Sequence, residues 1–411
     1  MQLGGLVGTH RTSRAEIVRV ADPSRNGQTT TVQGLQDVFD YNTRVDRLSG
    51  FGRTRFQVAD NLTLHAGAQV AYVKKRVSEN PISFFQFVEN IQHTQIYFDR
   101  DSDIILRTSA DQVNESGQLK YSGDDYRRRY GLVSPWAGLT LTLPQQFDVY
   151  ANYALSVREP TVADWYDPDR GPLTDDVGNG QLKVERVQNV EVGFRYNSDV
   201  HAFAIGYYRS AYSDKVETVV DYLDRNQTLN AGKAVLQGIE LSAQAQWQAL
   251  EFSSAATLAK NRWKAINVKE IFGASADAVV GKVVPFAPEQ LVTAKVTYRR
   301  SDYTVGVSMN WWDHYFATFT NDYRDANGVR TKSELPYFLD IGLHLGYGRK
   351  IGQTAVSVRL DCNNLLNRED NYQRAQFTVD STRNDALSGL PHWYVLQAPL
   401  RNAFVTAQVE F

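Results

Sequence analysis

Two clusters in this 411-residue chain combine side chains able to grip a small molecule: Arg158 with Trp165 and Tyr166, and Trp312 with His314 and Tyr315. Each follows an alternating segment, where a strand would run into a loop. Aromatic faces stack on planar groups, and a guanidinium offers a fork of donors to an anion. The chemistry on offer is therefore recognition of a planar or anionic ligand. Trp and Tyr in such places also anchor at interfaces or pack loops, and that plainer role carries the greater weight.

Bond-making chemistry finds little support. The sequence contains no GxSxG and no HExxH, and no Ser/His/Asp arrangement can be proposed from spacing. Cys362 is the single cysteine, which excludes an internal disulfide and a thiolate metal cluster. Nothing near it in sequence activates it, so it reads as structural. Asp101 with Asp103, and Asp167 with Asp169, are close carboxylate pairs that suit Ca²⁺, but they lack the Gly and Glu pattern of an EF-hand and read first as solvated loop acid. GFGRTR at 50–55 does not lead from a strand into a helix, so no phosphate loop is implied. Lys+Arg 44 against Asp+Glu 46 leaves a net charge of −2, too little basic surface for a nucleic-acid partner. We expect no enzyme, no cofactor and no bound metal.

The elements that must carry the two clusters are strands. Segment 303–311 sets Tyr303, Val305, Val307, Met309 and Trp311 against Thr304, Gly306, Ser308 and Asn310. Segments 147–157, 239–247, 291–298 and 339–347 repeat the pattern, each with one apolar face and one polar, small-residue face. A soluble sandwich keeps strands near ~5–6 residues and turns its apolar faces together. Spans of ~9–11 residues with a polar second face fit a tilted strand crossing a bilayer. Trp247, Tyr298, Trp311 and Tyr347 stand at segment ends, where interface girdles lie.

Connections alternate in length. Short turns are expected at Asp60-Asn61, Pro144–Gln146, Asn197–Asp199, Ala249-Leu250, Arg300-Ser301 and Gly348–Gly352, and long loops at 77–127, 158–185, 220–233, 264–288, 319–334 and 367–399. This parity keeps the strand-like stretch 94–108 inside one large loop as a local hairpin. The fold class is all-β: a transmembrane antiparallel up-and-down β-barrel, partial, with about 14 strands over residues 1–411. The last strand ends on Phe411, a terminal aromatic that resembles a barrel-assembly signal, though an ordinary edge strand could also end so. Arg127-Arg128-Arg129 reads equally as a solvated strand end or as a contact to lipopolysaccharide phosphates. The start, MQLGGLVGTHRTSR, lacks a signal peptide. The protein is then either cytoplasmic or missing its true beginning.

An ordered series of motifs resembles TonB-dependent outer-membrane receptors. SVREPTVADWY (156–166) is similar to the family's Phe-Arg-Ala-Pro-Thr stretch, and GNGQLKVERVQNVEVGFRY (178–196) to its Gly-Asn-Pro-x-Leu-Lys-Pro-Glu segment with the following strand. NAGKAVLQGIELSAQAQW (230–247) resembles the Asn-x-Gly-x-Ala-x-x-x-Gly-x-Glu strand, and GKVVPFAPEQ (281–290) the Pro-x-x-Pro turn. VRLDCNNLLNREDNY (358–372) resembles the Val-x-Asn-Leu-Phe-Asp-x-x-Tyr motif, and DNLTLHAGAQVAY, within 41–76, fits a preceding hairpin. Departures are Glu159 for Ala, Gly180 and Val184 for two prolines, and Cys362 in the Asn-Leu strand.

The resemblance implies a larger plugged barrel, of which this chain is the C-terminal portion without the plug or a TonB box. It implies a bacterial outer-membrane location and TonB-dependent uptake of a scarce ligand, a ferric siderophore first, with a catecholate or anionic chelate suited to the two clusters. The implied partners are the TonB-ExbB-ExbD complex, outer-membrane lipid and lipopolysaccharide, and the small-molecule ligand. The alternative is a passive outer-membrane pore formed by a smaller, self-closed barrel.

Overall fold

A computed structural model describes residues 2–19, 32–33, 36–79, 82–85, 87–88, 96–99, 102–106, 118–121, 125–167, 171–172, 182–220, 226–267, 270–271, 274–275, 278–324, 330–379 and 391–410. One 14-stranded sheet contains every long strand, each beside its sequence neighbours. The strands are β1 (Gln2–Arg19), β2 (Gln36–Ala59), β3 (Leu62–Glu79), β4 (Asp125–Leu143), β5 (Phe147–Arg158), β6 (Glu185–Asn197) and β7 (His201–Val220). Then come β8 (Asn226–Trp247), β9 (Leu250–Ile266), β10 (Gln290–Arg300), β11 (Tyr303–Trp312), β12 (Phe338–Ile351), β13 (Thr354–Asn363) and β14 (Asn402–Glu410). Antiparallel pairing joins β4 to β5 and runs unbroken from β6 to β14. The first and last strands stand at the two ends of the sheet order.

Two compact units divide the chain. The first holds residues 1–52, 68–134 and 157–184, and the second 53–67, 135–156 and 185–411. In the second unit the register assembles the alternation into two continuous faces. Val296 lies opposite Val307, Val307 opposite Leu343, Val305 opposite Leu345, and Tyr303 opposite Tyr347. On the other side Lys295 meets Ser308, Gly306 meets His344, and His344 meets Asp361. Nothing in this unit covers the middle of the apolar face among the described residues: Val307 is 48% exposed, and Phe252, Ile205 and Val405 are exposed too. Water would penalise that much contiguous apolar surface, whereas acyl chains do not.

Aromatic residues bound this face at both ends. Near the short turns Trp247 is 69% exposed, Tyr298 follows it through Leu250 in the register, and Tyr347, also exposed, packs on Tyr303 with ring centroids 5.1 Å apart. Half-buried Trp311 lies at the loop end of β11. Tyr303 to Trp311 is eight steps, or ~27 Å along a strand and ~21 Å along the normal at a tilt of ~40°, close to the ~25 Å apolar band of an outer-membrane barrel.

Short turns occupy 60–61, 144–146, 198–200, 248–249, 301–302 and 352–353. Five of them fall within a residue of the expected places. The last does not, because β12 continues to Ile351 and turns at Gly352, whose φ of 64° costs glycine nothing. The stretch 220–233, expected as a loop, is a second correction: β7 and β8 pair through it to Val220 opposite Asn226. Beyond bilayer depth both faces of a ribbon can be polar, so backbone pairing outlasts the apolar alternation. Gly232 (φ 148°) is required there, since a Cβ would lie 2.1 Å from the Ala265 carbonyl oxygen. Strands are accordingly longer than a bilayer crossing, with 20 residues in β7 and 22 in β8. Within 77–127 the structure has two small pairings, Ile96–Asp99 with Ser102–Leu106 and Ile82–Phe85 with Gln118–Tyr121, both outside the main sheet.

Buried apolar side chains gather at the loop ends. In the second unit Trp263 anchors Leu229, Ala231, Ala234, Val279, Val284 and Phe319. In the first, Val77 packs with Tyr126, Val162 and Leu182.

Candidate ligand-binding rim

In the first unit the rim is built where β5 ends. Arg158 is the last residue of β5 and is exposed. Pro160 is fully buried, and a single helical turn, α1 (Val162–Trp165), follows. Thr161 and Asp164 close that turn: the Thr161 amide donates to Asp164 Oδ2 at 2.6 Å, and the Asp164 amide to the Thr161 carbonyl at 3.3 Å. This is half of a capping box, legible as T-x-x-D. Tyr166 begins the two-residue strand Tyr166–Asp167, which pairs with Gly171–Pro172. The structure thus brings Arg158, Trp165 and Tyr166 onto one short backbone excursion.

Charges that spacing did not single out hold that excursion. Glu159 Oε1 lies 3.3 Å from Arg47 Nη1 and 3.8 Å from Lys75 Nζ. Lys75 also donates to the Pro160 carbonyl. The available signals were Glu159 standing in place of the family's alanine, and a lysine sharing strand parity with Val73 and Val77.

The second unit's rim is better packed. Trp312 stacks on Phe338, with centroids 3.7 Å apart and planes 5° from parallel. Tyr315 is buried among Leu335, Ala317 and Tyr372, and its hydroxyl donates to the Tyr372 carbonyl at 3.2 Å. Burial pushes its phenol above the usual tyrosine range. Both residues are packed against neighbouring side chains. His314 stays exposed, with Nδ1 2.6 Å from Asp313 and Nε2 3.1 Å from Glu334.

Below it the NNLLNREDNY stretch is a set of asparagine ties. Buried Asn371 receives the Leu339 amide on Oδ1 (3.1 Å) and donates Nδ2 to the Leu339 carbonyl (2.7 Å), filling the place of a strand neighbour that β13 does not supply. Asn364 Nδ2 reaches the carbonyls of Arg368 (3.0 Å) and Pro399 (3.2 Å). Arg368 lies 4.1 Å over the Tyr337 ring and hydrogen-bonds Asp370, holding that carboxyl below the usual carboxylate range.

Strand register also creates one arrangement that spacing could not reveal. Ser308 Oγ is 3.1 Å from His344 Nε2, and His344 Nδ1 is 2.6 Å from Asp361 Oδ1. The three residues come from β11, β12 and β13 and sit on the polar face. Their surrounding amides belong to the β-ladders, so paired donors for an oxyanion are lacking there, and Asp361 is shared with Arg359. This line is a polar tie. It borders a cavity of about 320 Å³ lined by Lys295, Arg299, Thr304, His344 and Arg359. Among the described residues no cluster of metal-ligating side chains occurs. Cys362 is half-buried and unbonded, between Leu343 and Ala403. Asp101, Asp169 and Phe411 lie outside the described residues.

An apolar face bounded by aromatic belts, a polar second face, short turns at one end and built loop rims at the other define the wall of a membrane-spanning β-barrel. The family described as TonB dependent receptor-like, beta-barrel, matches residues 3–365, and the chain belongs to it. It is an outer-membrane family of receptors and transporters, not of enzymes. The rhizobactin receptor of Rhizobium meliloti (strain 1021) is 23% identical over 259 residues, covering 58% of this chain and 31% of that protein. The siderophore receptor PiuA from Acinetobacter baumannii superposes with a TM-score of 0.60 at 16% identity, over 93% of this chain and 46% of its own. The ferric-catecholate import receptor Fiu from K12 E. coli gives 0.60 at 15% identity, over 99% and 52%. The copper transporter OprC gives 0.59 at 16% identity, over 99% and 54%. The chain spans about half or less of the length of these relatives.

Proposed function

We propose that residues 1–411 supply the C-terminal portion of the barrel wall and part of the ligand-facing rim of an outer-membrane receptor that imports a ferric siderophore. The observation carrying this reading is the rim segment 158–166. Arg158, Trp165 and Tyr166 fall within one short backbone excursion held to the wall at Glu159 and Pro160, and residues of these types suit a planar anionic chelate. His314, exposed between Asp313 and Glu334, is the candidate contact of the second cluster. The curated relative is named for rhizobactin, and two of the compared structures for siderophore or ferric-catecholate import, which supports iron-chelate cargo over the copper named for OprC.

Transport in this reading draws energy from the TonB-ExbB-ExbD complex through parts of the receptor beyond this stretch. The Arg127–Arg129 end of β4 faces lipopolysaccharide phosphates. The test is uptake of radiolabelled iron into a receptor-deleted strain carrying the whole gene, supplied as a ferric catecholate, ferric citrate or a ferric hydroxamate. TonB-dependent accumulation from one of these, abolished by Arg158→Ala with Trp165→Ala, is expected. TonB-independent conductance of ions through the purified receptor in planar bilayers, with no iron uptake, would replace this reading by a passive pore.

A further inference from the structure

We propose that Lys75 is a positioning residue for the ligand-binding rim, setting through Glu159 and Pro160 where Arg158, Trp165 and Tyr166 stand. Lys75 is 5% exposed between Val73 and Val77, both 0% exposed on the same side of β3. An ammonium there has left bulk water, and an apolar side chain of that length would fit the site at lower cost. What the lysine adds is direction. Its Nζ donates to the Pro160 carbonyl, lies 3.8 Å from Glu159 and stands 5.8 Å from the centroid of the Tyr130 ring. Glu159 carries a second cation at 3.3 Å, Arg47 of β2.

Two strands, β2 and β3, thus converge on two consecutive rim residues. The next residues are fixed by the Thr161–Asp164 cap and by Val162 against Val77. Arg158 on one side and Trp165 with Tyr166 on the other leave this clamped point in opposite directions along the chain. A shift at the clamp changes their spacing and so the fit of any ligand that touches both.

The ligand half of this inference rests on the proposed receptor function; the clamp itself does not. Hydrogen–deuterium exchange on the full chain in lipid nanodiscs reads the clamp alone. In Lys75→Met, amides of 161–165 should exchange at least tenfold faster than in wild type, with those of 339–345 unchanged as a check on the fold. Glu159→Gln, which keeps the Pro160 contact, should give a smaller increase of about threefold and serves if Lys75→Met fails to insert. Unchanged exchange at 161–165 in the variant that inserts overturns the proposal.

Binding of ferric 2,3-dihydroxybenzoate, followed by tryptophan quenching, supplies the second arm. If wild type binds it, Lys75→Met should weaken binding at least tenfold, and equal affinity with a loosened segment overturns the positioning role. If wild type ignores the probe while Lys75→Met loosens 161–165, the clamp stands and catecholate cargo is what fails.

Discussion

Val307 is the most informative place to test which solvent the apolar face meets. It lies four residues from Tyr303 and four from Trp311, ~14 Å along the strand from each and ~10 Å from either belt along the membrane normal. Its side chain is 48% exposed, so an arginine there has no protein in which to bury. Arginine at the midplane of a barrel's lipid face costs about 2–4 kcal/mol, roughly a 30- to 700-fold loss in the folding constant. Val307→Arg should lower stability by that amount in guanidinium unfolding from phospholipid vesicles, followed by tryptophan fluorescence. Asn310→Arg, on the polar face of the same strand, should stay within about 0.5 kcal/mol. Ile351→Arg, 64% exposed beside the 352–353 turn, should cost about 0–1 kcal/mol because arginine near the interface reaches headgroups. Equal costs at 307 and 310 would refute the assignment of faces, and so would a Val307→Arg cost below about 0.5 kcal/mol.

Asn371→Ala leaves the Leu339 amide and carbonyl without partners and should cost about 2–4 kcal/mol, measured by the same unfolding assay. Tyr315→Phe removes only the bond to the Tyr372 carbonyl and should cost about 0.5–1.5 kcal/mol, with ligand affinity lowered less than by His314→Ala in a titration. The Asp370 carboxyl is depressed in the fold by its hydrogen bond from Arg368, against an opposing push from burial. Its contribution is therefore present above the unfolded value of about 3.9 and lost as pH falls through the lower folded value. Unfolding midpoints taken from about pH 6 to about pH 2 should show that acid limb, flattened in Asp370→Asn.

The wall was legible because bilayer chemistry writes itself into every second residue: Val305, Val307 and Leu345 could be assigned a face without coordinates. Turn parity was legible for the same reason, since it holds the strand-like 94–108 out of the sheet. The β7–β8 ribbon was not, because Asn226, Thr228 and Asn230 pair through their backbone, and pairing alone leaves no side-chain pattern. Rim packing was hidden by distance along the chain. Tyr315 is buried by Leu335 and Tyr372, and Lys75 answers to Glu159, contacts that no local window contains. Ser308, His344 and Asp361 meet only once the register of three strands is fixed.

The 22 residues of β8 cover ~73 Å of strand, or ~56 Å along the normal at a tilt of ~40°, of which the acyl region takes only ~25 Å. With the short turns 198–200 and 248–249 at the opposite end, the paired strands β7 and β8 run about 30 Å beyond the hydrocarbon. That makes this projecting ribbon the natural place for an epitope tag.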